Sequence, residues 1–529
     1  MKRTSDIIYL LLFAVLLLGA LLVIFDHAML KGYFRDENQF IASGKLLEDE
    51  GLFPYRDYPY FHMPNLTFIY ALIYQVTDFA LLGARTFSVL CAWGAVATLV
   101  YAAYWFFQHR SRWFRLAVGA GGVLLLLPNP LFRFTVGLAW NHDFPVMLAL
   151  AAALILLTAV HYRDGRWLGL SGFLLGAAVG SRLTFLTAVL PFLGILAFFP
   201  DARLSRNRAR VWAYFGVGFL IAMLPSTFLF LSAPREFIFG NVQYAWLNTL
   251  YRQASEFEGP MTLSGKLLFL SERVLDQPGT IALLTMVILF GIFGAAVHLR
   301  RPGSATGSII SLLNSRGTET SPRGLFYAFI YSLPVALLIG SFLPTPSWYQ
   351  YFYAPLPFIV LGVLYSLSQL DRLSRPVRYA ALVVFFLSVL LVNYFHFDKY
   401  PNLRSLARPG AWYPIQTRVL GHKIKTIVAE GRVLTLSPLF PLDGGARIYP
   451  QYATGPFAWR VADFLTGEQR ATYQVMSKDE LVVALERDPP AGILVGLTKD
   501  AESFLLEYAQ QSGYNPVKIN DDLTLWVPN

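Results

Sequence analysis

IIYLLLFAVLLLGALLVIF, residues 7–25, follows the basic start of the chain and contains no charged residue. A transmembrane helix needs about 20 consecutive apolar residues to cross a hydrocarbon core of about 30 Å. The apolar core of a signal peptide is shorter, at about 7–15 residues, and it precedes a cleavage site with small residues. No such site follows this run. The run therefore predicts a first membrane span that is retained, with its start on the inner side.

The composition of the whole chain agrees with this prediction. Of the 529 residues, 55% are apolar and 14% are charged, whereas soluble domains contain about 25% charged residues. A soluble enzyme, a disordered chain and a nucleic-acid-binding protein are thereby excluded. The net charge of +10 comes from 43 basic and 33 acidic residues, and basic inner loops are usual in membrane proteins.

Further apolar runs predict more spans, and the loops between them predict the orientation. The runs cover residues 84–107, 116–128, 141–160, 167–199, 211–233, 279–298, 325–343, 351–370 and 378–396. Arginine is frequent in the connections 108–115, 161–166, 201–210, 298–323 and 371–378. The positive-inside rule assigns all of these connections to the cytoplasm.

Two apolar stretches are ambiguous on their own and can be interpreted only from the orientation of the loops around them. Residues 65–82 are apolar, but a span there would reverse the loop 108–115, so we predict a short helix along the outer interface. The run 167–199 has basic flanks that both lie in the cytoplasm, so the chain must enter the membrane and come back to the same side. This predicts two short helices that meet near Gly176, Gly180 and Arg182. The total is about eleven spans.

The tail, residues 397–529, has the texture of a soluble domain, with roughly a fifth of its residues charged. Strands are predicted at Val433–Leu436, Ile493–Val495, Val517–Ile519 and Leu523–Val527, with helices at Asp479–Arg487 and Asp500–Gln511. Ser477 and Glu480 form a capping-box pattern before the first helix. We predict a membrane module, residues 1–396, followed by a small α/β domain on the outer side.

Two long outer loops within the membrane module are predicted to carry chemistry, residues 26–64 and 233–278. The first contains the neighbouring acids Asp36 and Glu37, and it ends in Tyr60-Phe61-His62-Met63-Pro64. Later stretches of interest are Leu82-Gly83-Ala84-Arg85-Thr86, Asn141-His142-Asp143, Gly180-Ser181-Arg182-Leu183-Thr184 and Tyr349-Gln350-Tyr351 followed by Pro355-Leu356-Pro357.

In order and spacing, these segments resemble the GT-C class of membrane glycosyltransferases, in particular the branch of protein O-mannosyltransferases and aminoarabinose transferases. The resemblance covers about residues 1–396. Members of this branch move a sugar from a polyprenyl-phosphate carrier to an acceptor hydroxyl at the outer membrane face. It implies an inverting reaction with catalytic positions at Asp36, Glu37 and Asp143. Asp36 is the general base, and Glu37 either orients the loop or pairs with an arginine. Asp143 either stabilises the start of its helix through the helix dipole or holds the acceptor or a cationic group.

The resemblance and the outer position also indicate residues that bind substrate: Arg56, Asp57, His62, Arg182, Arg235, Arg252, Lys266, Tyr349, Gln350 and Tyr351. Arg182 lies within an apolar run, where an ionisable side chain is costly, and it either pairs with an acid or faces the carrier phosphate. Arg85 is predicted to be a structural residue that snorkels at a span end.

The partners implied are a polyprenyl-phosphate-linked sugar, the bilayer, and an acceptor that is a glycan, a lipid or a protein, with no nucleic acid. The histidines match no zinc spacing, so no metal ligands are assigned; a divalent metal is compatible with the reaction but not required. We expect an integral protein of a bacterial inner membrane, with a cytoplasmic amino terminus and a periplasmic or extracellular tail. The alternative is a membrane transporter or lipid flippase, which would show inverted repeats and charges within several spans.

Overall fold

The computed structural model describes residues 2–162, 164–198, 208–255, 262–299, 322–401, 403–498 and 501–529. Parts of two predicted inner loops, residues 201–207 and 300–321, lie outside the described ranges, as does the predicted start of the helix at residue 500.

Within the first 396 residues, the part that the structure describes is mostly helical. The α-helices are α1 Lys2–Leu30, α2 Glu37–Glu50, α3 Asn65–Tyr74, α4 Ala80–Phe106, α5 Arg112–Leu126, α6 Pro130–Thr135, α7 Asp143–Tyr162, α8 Leu168–Ser181, α9 Leu186–Ala197, α10 Arg208–Ala222, α11 Leu224–Ser232, α12 Pro234–Ile238, α13 Tyr244–Ala254, α14 Leu263–Phe269, α15 Pro278–Leu299, α16 Pro322–Phe342, α17 Leu356–Leu370 and α18 Arg375–Phe395.

Among the described residues, six helical segments are long and apolar enough to cross a membrane, and two bent pairs of helices raise the number to eight. The chain is a polytopic α-helical membrane protein. The other three predicted spans correspond to α5, α8 and α9, which have 15, 14 and 12 residues. These helices are shorter than a full crossing of about 20 residues. The predicted number of about eleven spans is therefore higher than helix length and composition support.

The two ambiguous stretches form short helices. Residues 65–82 contain α3, which packs along α2, and the beginning of α4. The run 167–199 is broken at Arg182, whose extended backbone (φ −154°, ψ 113°) separates α8 from α9. The predicted break is therefore confirmed at the residue that carries the charge.

Small side chains allow the membrane helices to pack closely around α4. Ala84, Ala92, Ala95, Ala102 and Ala103 are fully buried, and α4 contacts α1, α5, α7 and α17. In lipid, close packing of small residues is a main source of helix association. The result is a rigid support beneath the loops that join these helices.

The tail forms a mixed sheet with helices around it. Its elements are α19 Tyr413–Val428, β1 Arg432–Thr435, α20 Leu439–Asp443, β2 Arg447–Ile448, α21 Pro456–Val461, α22 Gly467–Tyr473, α23 Lys478–Arg487, β3 Gly492–Val495, α24 Ser503–Gln511, β4 Asn515–Lys518 and β5 Thr524–Val527. The strand order is β2-β1-β3-β5-β4. β1 is parallel to β2 and β3, whereas β5 is antiparallel to β3 and β4.

The four predicted strands are present as β1, β3, β4 and β5, and the capping box at Ser477 and Glu480 is formed. The two-residue strand β2 and the helices α19 to α22 were not predicted. The hydrophobic pattern of the sequence does not reveal these elements, because most of them are short and because α19 buries only one narrow stripe of residues.

The C-terminal domain is docked on the loop that contains Asp36. The Leu439 amide donates to Asn38 Oδ1 at 3.0 Å, and the Leu81 amide donates to Asp443 Oδ1 at 3.2 Å. A ring stack of Phe61 on Tyr244 at 3.8 Å joins the two long loops, and a stack of Phe239 on Tyr473 at 3.9 Å joins the second loop to the domain. The domain and the two long loops therefore lie on one side of the helix bundle.

Candidate functional site

Asp36 lies at the amino end of α2, where the chain turns away from the first span. It occupies the N-cap position, but its carboxylate makes no capping hydrogen bond with the helix. The side chain is partly exposed. Among the described residues the Asp36 carboxylate has no hydrogen-bond partner, so both oxygens are available to a ligand.

The charges of arginines from three parts of the chain act on this carboxylate. Burial raises the pKa of Asp36, and the positive charges of Arg460, Arg35 and Arg252 lower it in that order. Arg35 precedes α2, Arg252 lies on α13, and Arg460 lies on α21 of the C-terminal domain. The site thus combines one unpaired carboxylate with a strongly cationic wall.

Arg182 forms the floor of the same site and is held in place by neutral groups. Its Nη1 donates to Asn141 Oδ1 at 3.2 Å and lies 2.9 Å from Nε2 of His142. Its Nε donates to Thr184 Oγ1 at 3.1 Å, and its guanidinium lies 5.1 Å from the ring of Tyr351. Arg182 is 9% exposed. Arg182 forms no ion pair with an acid among the described residues, although the charge of Asp36 acts on it.

Two histidines near Arg182 are neutral at pH 7. Burial, followed by the charge of Arg182, lowers the pKa of His62 to about 3. The pKa of His142 is lowered by burial first and then by Arg182 and His62. The ring of His62 packs 4.9 Å from that of Phe40. These imidazoles therefore shape the floor of the site without adding charge.

Glu37, the neighbour of Asp36, is turned into the protein and paired. Arg85 donates to its two carboxylate oxygens at 2.8 and 2.6 Å, and both side chains are fully buried. The Ala139 amide donates to Glu37 as well, at 2.7 Å. Arg85 also donates to the carbonyls of Ala28, Lys31 and Gly32. The snorkelling position predicted for Arg85 is wrong, because a buried acid is available to pair with it.

Asp143 is likewise saturated by the protein. Its oxygens accept hydrogen bonds from the Gly137 amide and the Tyr353 hydroxyl, each at 2.7 Å, and the residue is fully buried. Gly137 has φ +76°, and a Cβ there would lie 2.4 Å from that of Ala28. Asp143 therefore holds a tight turn against α1, and the structure gives neither Asp143 nor Glu37 a carboxylate oxygen that is free to act on a substrate.

Several predicted substrate-binding residues lie elsewhere. Arg56 and Asp57 pair with each other at 2.7 Å near the surface, and Arg235 is exposed. Lys266 is buried and donates to the carbonyls of Phe342 and Pro344 and to the Thr345 hydroxyl, which fixes the loop before Tyr349. The contacts given for Arg56, Asp57 and Lys266 are with local partners and not with Asp36.

The segment of Tyr349, Gln350 and Tyr351 is only partly in the site. It forms a 3₁₀ turn, Tyr349–Tyr353, in which Tyr351 lies beneath Arg182. The ring of Tyr349 packs 5.3 Å from that of Phe134 instead, and Gln350 is buried. Of the predicted residues, the structure assembles Asp36, His62, Arg182, Arg252 and Tyr351.

Arg35 and Arg460 were missed by sequence reasoning. Arg35 could have been found, because it precedes Asp36 directly. Arg460 gives no signal in the sequence, since its proximity to Asp36 depends on the docking of the C-terminal domain. No group of three or more histidine, cysteine or acidic residues able to hold a metal occurs among the described residues.

Solved structures with the same overall fold exist at low sequence identity. The crystal structure of ArnT from Cupriavidus metallidurans bound to undecaprenyl phosphate matches with a TM-score of 0.59 and 15% identity, over 97% of both chains. Its apo state gives a TM-score of 0.60 and 14% identity, over 99% of this chain and 98% of that one. The crystal structure of the apo oligosaccharyltransferase of Archaeoglobus fulgidus matches with a TM-score of 0.51 and 10% identity, over 95% of this chain and 72% of that one.

The chain therefore has an ArnT-like fold, which agrees with the fold that the resemblance predicted. No protein-family model and no curated protein matches the sequence itself. The likeness extends through the C-terminal domain, beyond the 396 residues covered by the predicted resemblance.

Proposed function

We propose that this protein is an inverting glycosyltransferase that moves a sugar from a polyprenyl-phosphate carrier to an acceptor hydroxyl at the outer face of the membrane. The observation that carries the proposal is the carboxylate of Asp36, which has no hydrogen-bond partner among the described residues and on which the charges of several arginines act. Lipid-linked sugars of this class need both a base for the acceptor and cations for the departing phosphate. The crystal structure of ArnT with undecaprenyl phosphate supports a sugar linked to a lipid phosphate as the donor.

Asp36 acts as the general base. Its carboxylate accepts the proton of the acceptor hydroxyl while that oxygen forms a new bond to the anomeric carbon of the sugar. Attack occurs on the face opposite the phosphate, so that the configuration inverts, by analogy with inverting glycosidases. Burial raises the pKa of Asp36, which strengthens the base, because a base works best when its pKa approaches the working pH.

The arginines stabilise the leaving group. As the bond between the anomeric carbon and the phosphate oxygen breaks, negative charge accumulates on the phosphate. Arg182 and Arg252 supply charge-assisted hydrogen bonds to it, which are about twice as strong as neutral ones. Arg182 is already oriented by Asn141, His142 and Thr184, so little reorganisation is needed during the reaction.

The test is Asp36→Asn in cells and in purified protein. Mass spectrometry of envelope glycans and lipids, in cells with and without the gene, identifies the product. The variant should fold normally and lose transfer by about 10²–10⁴-fold, which is the usual contribution of a general base. Asp521→Asn is the matched control, because the Asp521 side chain is 96% exposed and far from any role proposed here.

Full transfer by a folded Asp36→Asn variant would exclude Asp36 as the base. Unchanged glycans and lipids after gene loss, together with no transfer by the purified protein, would exclude a glycosyltransferase.

A further inference from the structure

Arg460 is a buried cation of the C-terminal domain that forms no ion pair with a described residue. The residue is 9% exposed, and its Nη1 is buried without a hydrogen-bond partner among the described residues. Nearly all buried polar groups in proteins are paired. A buried guanidinium nitrogen without a partner is costly, and it indicates that a ligand completes the site.

Packing holds Arg460 against the second long loop of the membrane module. Ala458 and Val461, on the same short helix α21, pack with Tyr244 and Leu247 of α13. The Arg460 guanidinium lies 5.7 Å from the ring of Tyr251 and 5.0 Å from that of Phe457. The two rings fix the plane of the guanidinium, and Tyr251 is the neighbour of Arg252 in the chain.

The charges that act on Asp36 are mainly positive in the part of the chain that the structure describes. Arg460 and Arg35 lower its pKa, and the charge of Asp36 acts on Arg182. Glu37 does not compensate for these cations, because it is paired with Arg85. A site with this character fits an anion.

We propose that Arg460 binds the phosphate of the lipid-linked donor, so that the C-terminal domain supplies part of the donor site and is more than a lid over it. The inference rests on the proposed function. Arginine suits this role because its planar guanidinium donates two parallel hydrogen bonds to phosphate oxygens. Arg182 and Arg252 would then hold the phosphate from the membrane module, and Arg460 would hold it from the opposite side.

The test measures binding of undecaprenyl phosphate to the full chain in detergent, from the dependence of Tm on lipid concentration. Arg460→Met removes the charge and retains much of the packing on Tyr251 and Phe457. We expect binding about 10- to 100-fold weaker, from the loss of hydrogen bonds to a charged group. Arg460→Lys retains the charge without the two-pronged geometry, so its loss should be smaller. Arg447→Met is the control, because Arg447 lies on the same domain and is exposed.

Each outcome decides the matter. The proposal is supported if Arg460→Met binds the lipid more weakly than wild type, if Arg447→Met binds it as wild type does, and if neither variant changes the Tm measured without lipid. Equal binding by wild type and Arg460→Met overturns it and leaves the proposed function intact. Equal losses in the Arg447 and Arg460 variants overturn it too. If the wild type does not bind undecaprenyl phosphate, the proposed lipid-phosphate-linked donor is refuted, and the proposed role of Arg460 is refuted with it. If Arg460→Met does not fold, Arg460→Gln takes its place and is judged by the same comparison.

Discussion

Asp36 and Glu37 are adjacent in the chain, but the surroundings of their carboxylates differ completely. Asp36 caps α2 without a hydrogen bond to it, whereas Glu37 is fully buried against Arg85. The sequence predicted different roles for the two acids, Asp36 as the base and Glu37 as a residue that orients the loop or pairs with an arginine, but it did not identify the partner of Glu37. The separate roles depend on Arg85 and Ala139, which are distant in sequence and become neighbours only when α1, α4 and the turn before α7 pack together.

Glu37→Gln should destabilise the protein strongly. Removing one partner of a buried ion pair costs about 3–5 kcal/mol, because the remaining charge is left uncompensated. We expect a marked fall in Tm and in the yield of folded protein after extraction. Glu507→Gln is the matched control, since Glu507 and Lys478 pair at the surface with both side chains 54% exposed, where such pairs are worth about 0–1 kcal/mol. A Glu37→Gln variant as stable as the control would contradict this account.

The pH dependence of transfer should follow the protonation of Asp36. A base must be deprotonated, and burial raises the pKa of Asp36, so kcat/KM should fall as the pH drops through a value above the ordinary aspartate pKa of about 4. Arg460 lowers the pKa of Asp36. Arg460→Met should therefore move the acid limb of the profile to higher pH, and Arg460→Lys should move it less. Coinciding acid limbs in wild type and Arg460→Met would refute the electrostatic contact.

At the scale of elements, the second long loop reaches the site through a π-helical turn, Phe239–Gln243. π-turns within helices occur frequently at functional sites. This turn follows α12 and leads directly into α13, which carries Arg252. It also lies against the first long loop, since a Cβ on Gly240 would be 2.0 Å from the Tyr60 carbonyl oxygen.

Gly240→Ala should separate the two loops. The added methyl group has no space, and overpacking of this kind costs about 1–3 kcal/mol. We expect a lower Tm, together with weaker transfer because α13 and Arg252 shift. Gly216→Ala is the control, because an added Cβ on that residue of α10 meets nothing within 4 Å. Equal Tm and activity in the two variants would show that the contact with Tyr60 is not needed.

Elements could be predicted from the sequence where one local signal sufficed. The break at Arg182 follows from a charge in an apolar run, and α23 follows from its capping box. Prediction failed where the deciding partner is distant. The six-residue helix α21 brings Arg460 to the site only because the C-terminal domain docks there. A different error concerns α5, which was predicted to be a full span although it has only 15 residues.

For the whole molecule, the side of the membrane on which the C-terminal domain lies is still a prediction. The domain contacts the Asp36 loop directly, so both must lie on the same side. The arginines of the predicted inner loops assign that side to the exterior. Topology and site are therefore tested by one experiment.

Ser512→Cys should react with a membrane-impermeant thiol reagent in intact cells, or in bacterial cells whose outer membrane has been made permeable. Ser512 is exposed at the end of α24. The only native cysteine, Cys91, is buried, so unmodified protein serves as the control and should remain unlabelled. Labelling of Ser512→Cys only after the inner membrane is broken would reverse the topology, and Asp36 would then lie on the cytoplasmic side.

The docking of α20 on α2 has a consequence for how the protein is made. The Leu439 amide and Asn38 are 401 residues apart, and a ribosome adds about 5–20 residues per second. For roughly 20–80 s of translation the Asp36 loop is therefore already at the membrane while the domain that covers it has not yet emerged. A nascent chain released in that interval lacks Arg460 and the contacts of α20, so we expect transfer to begin only when translation has been completed.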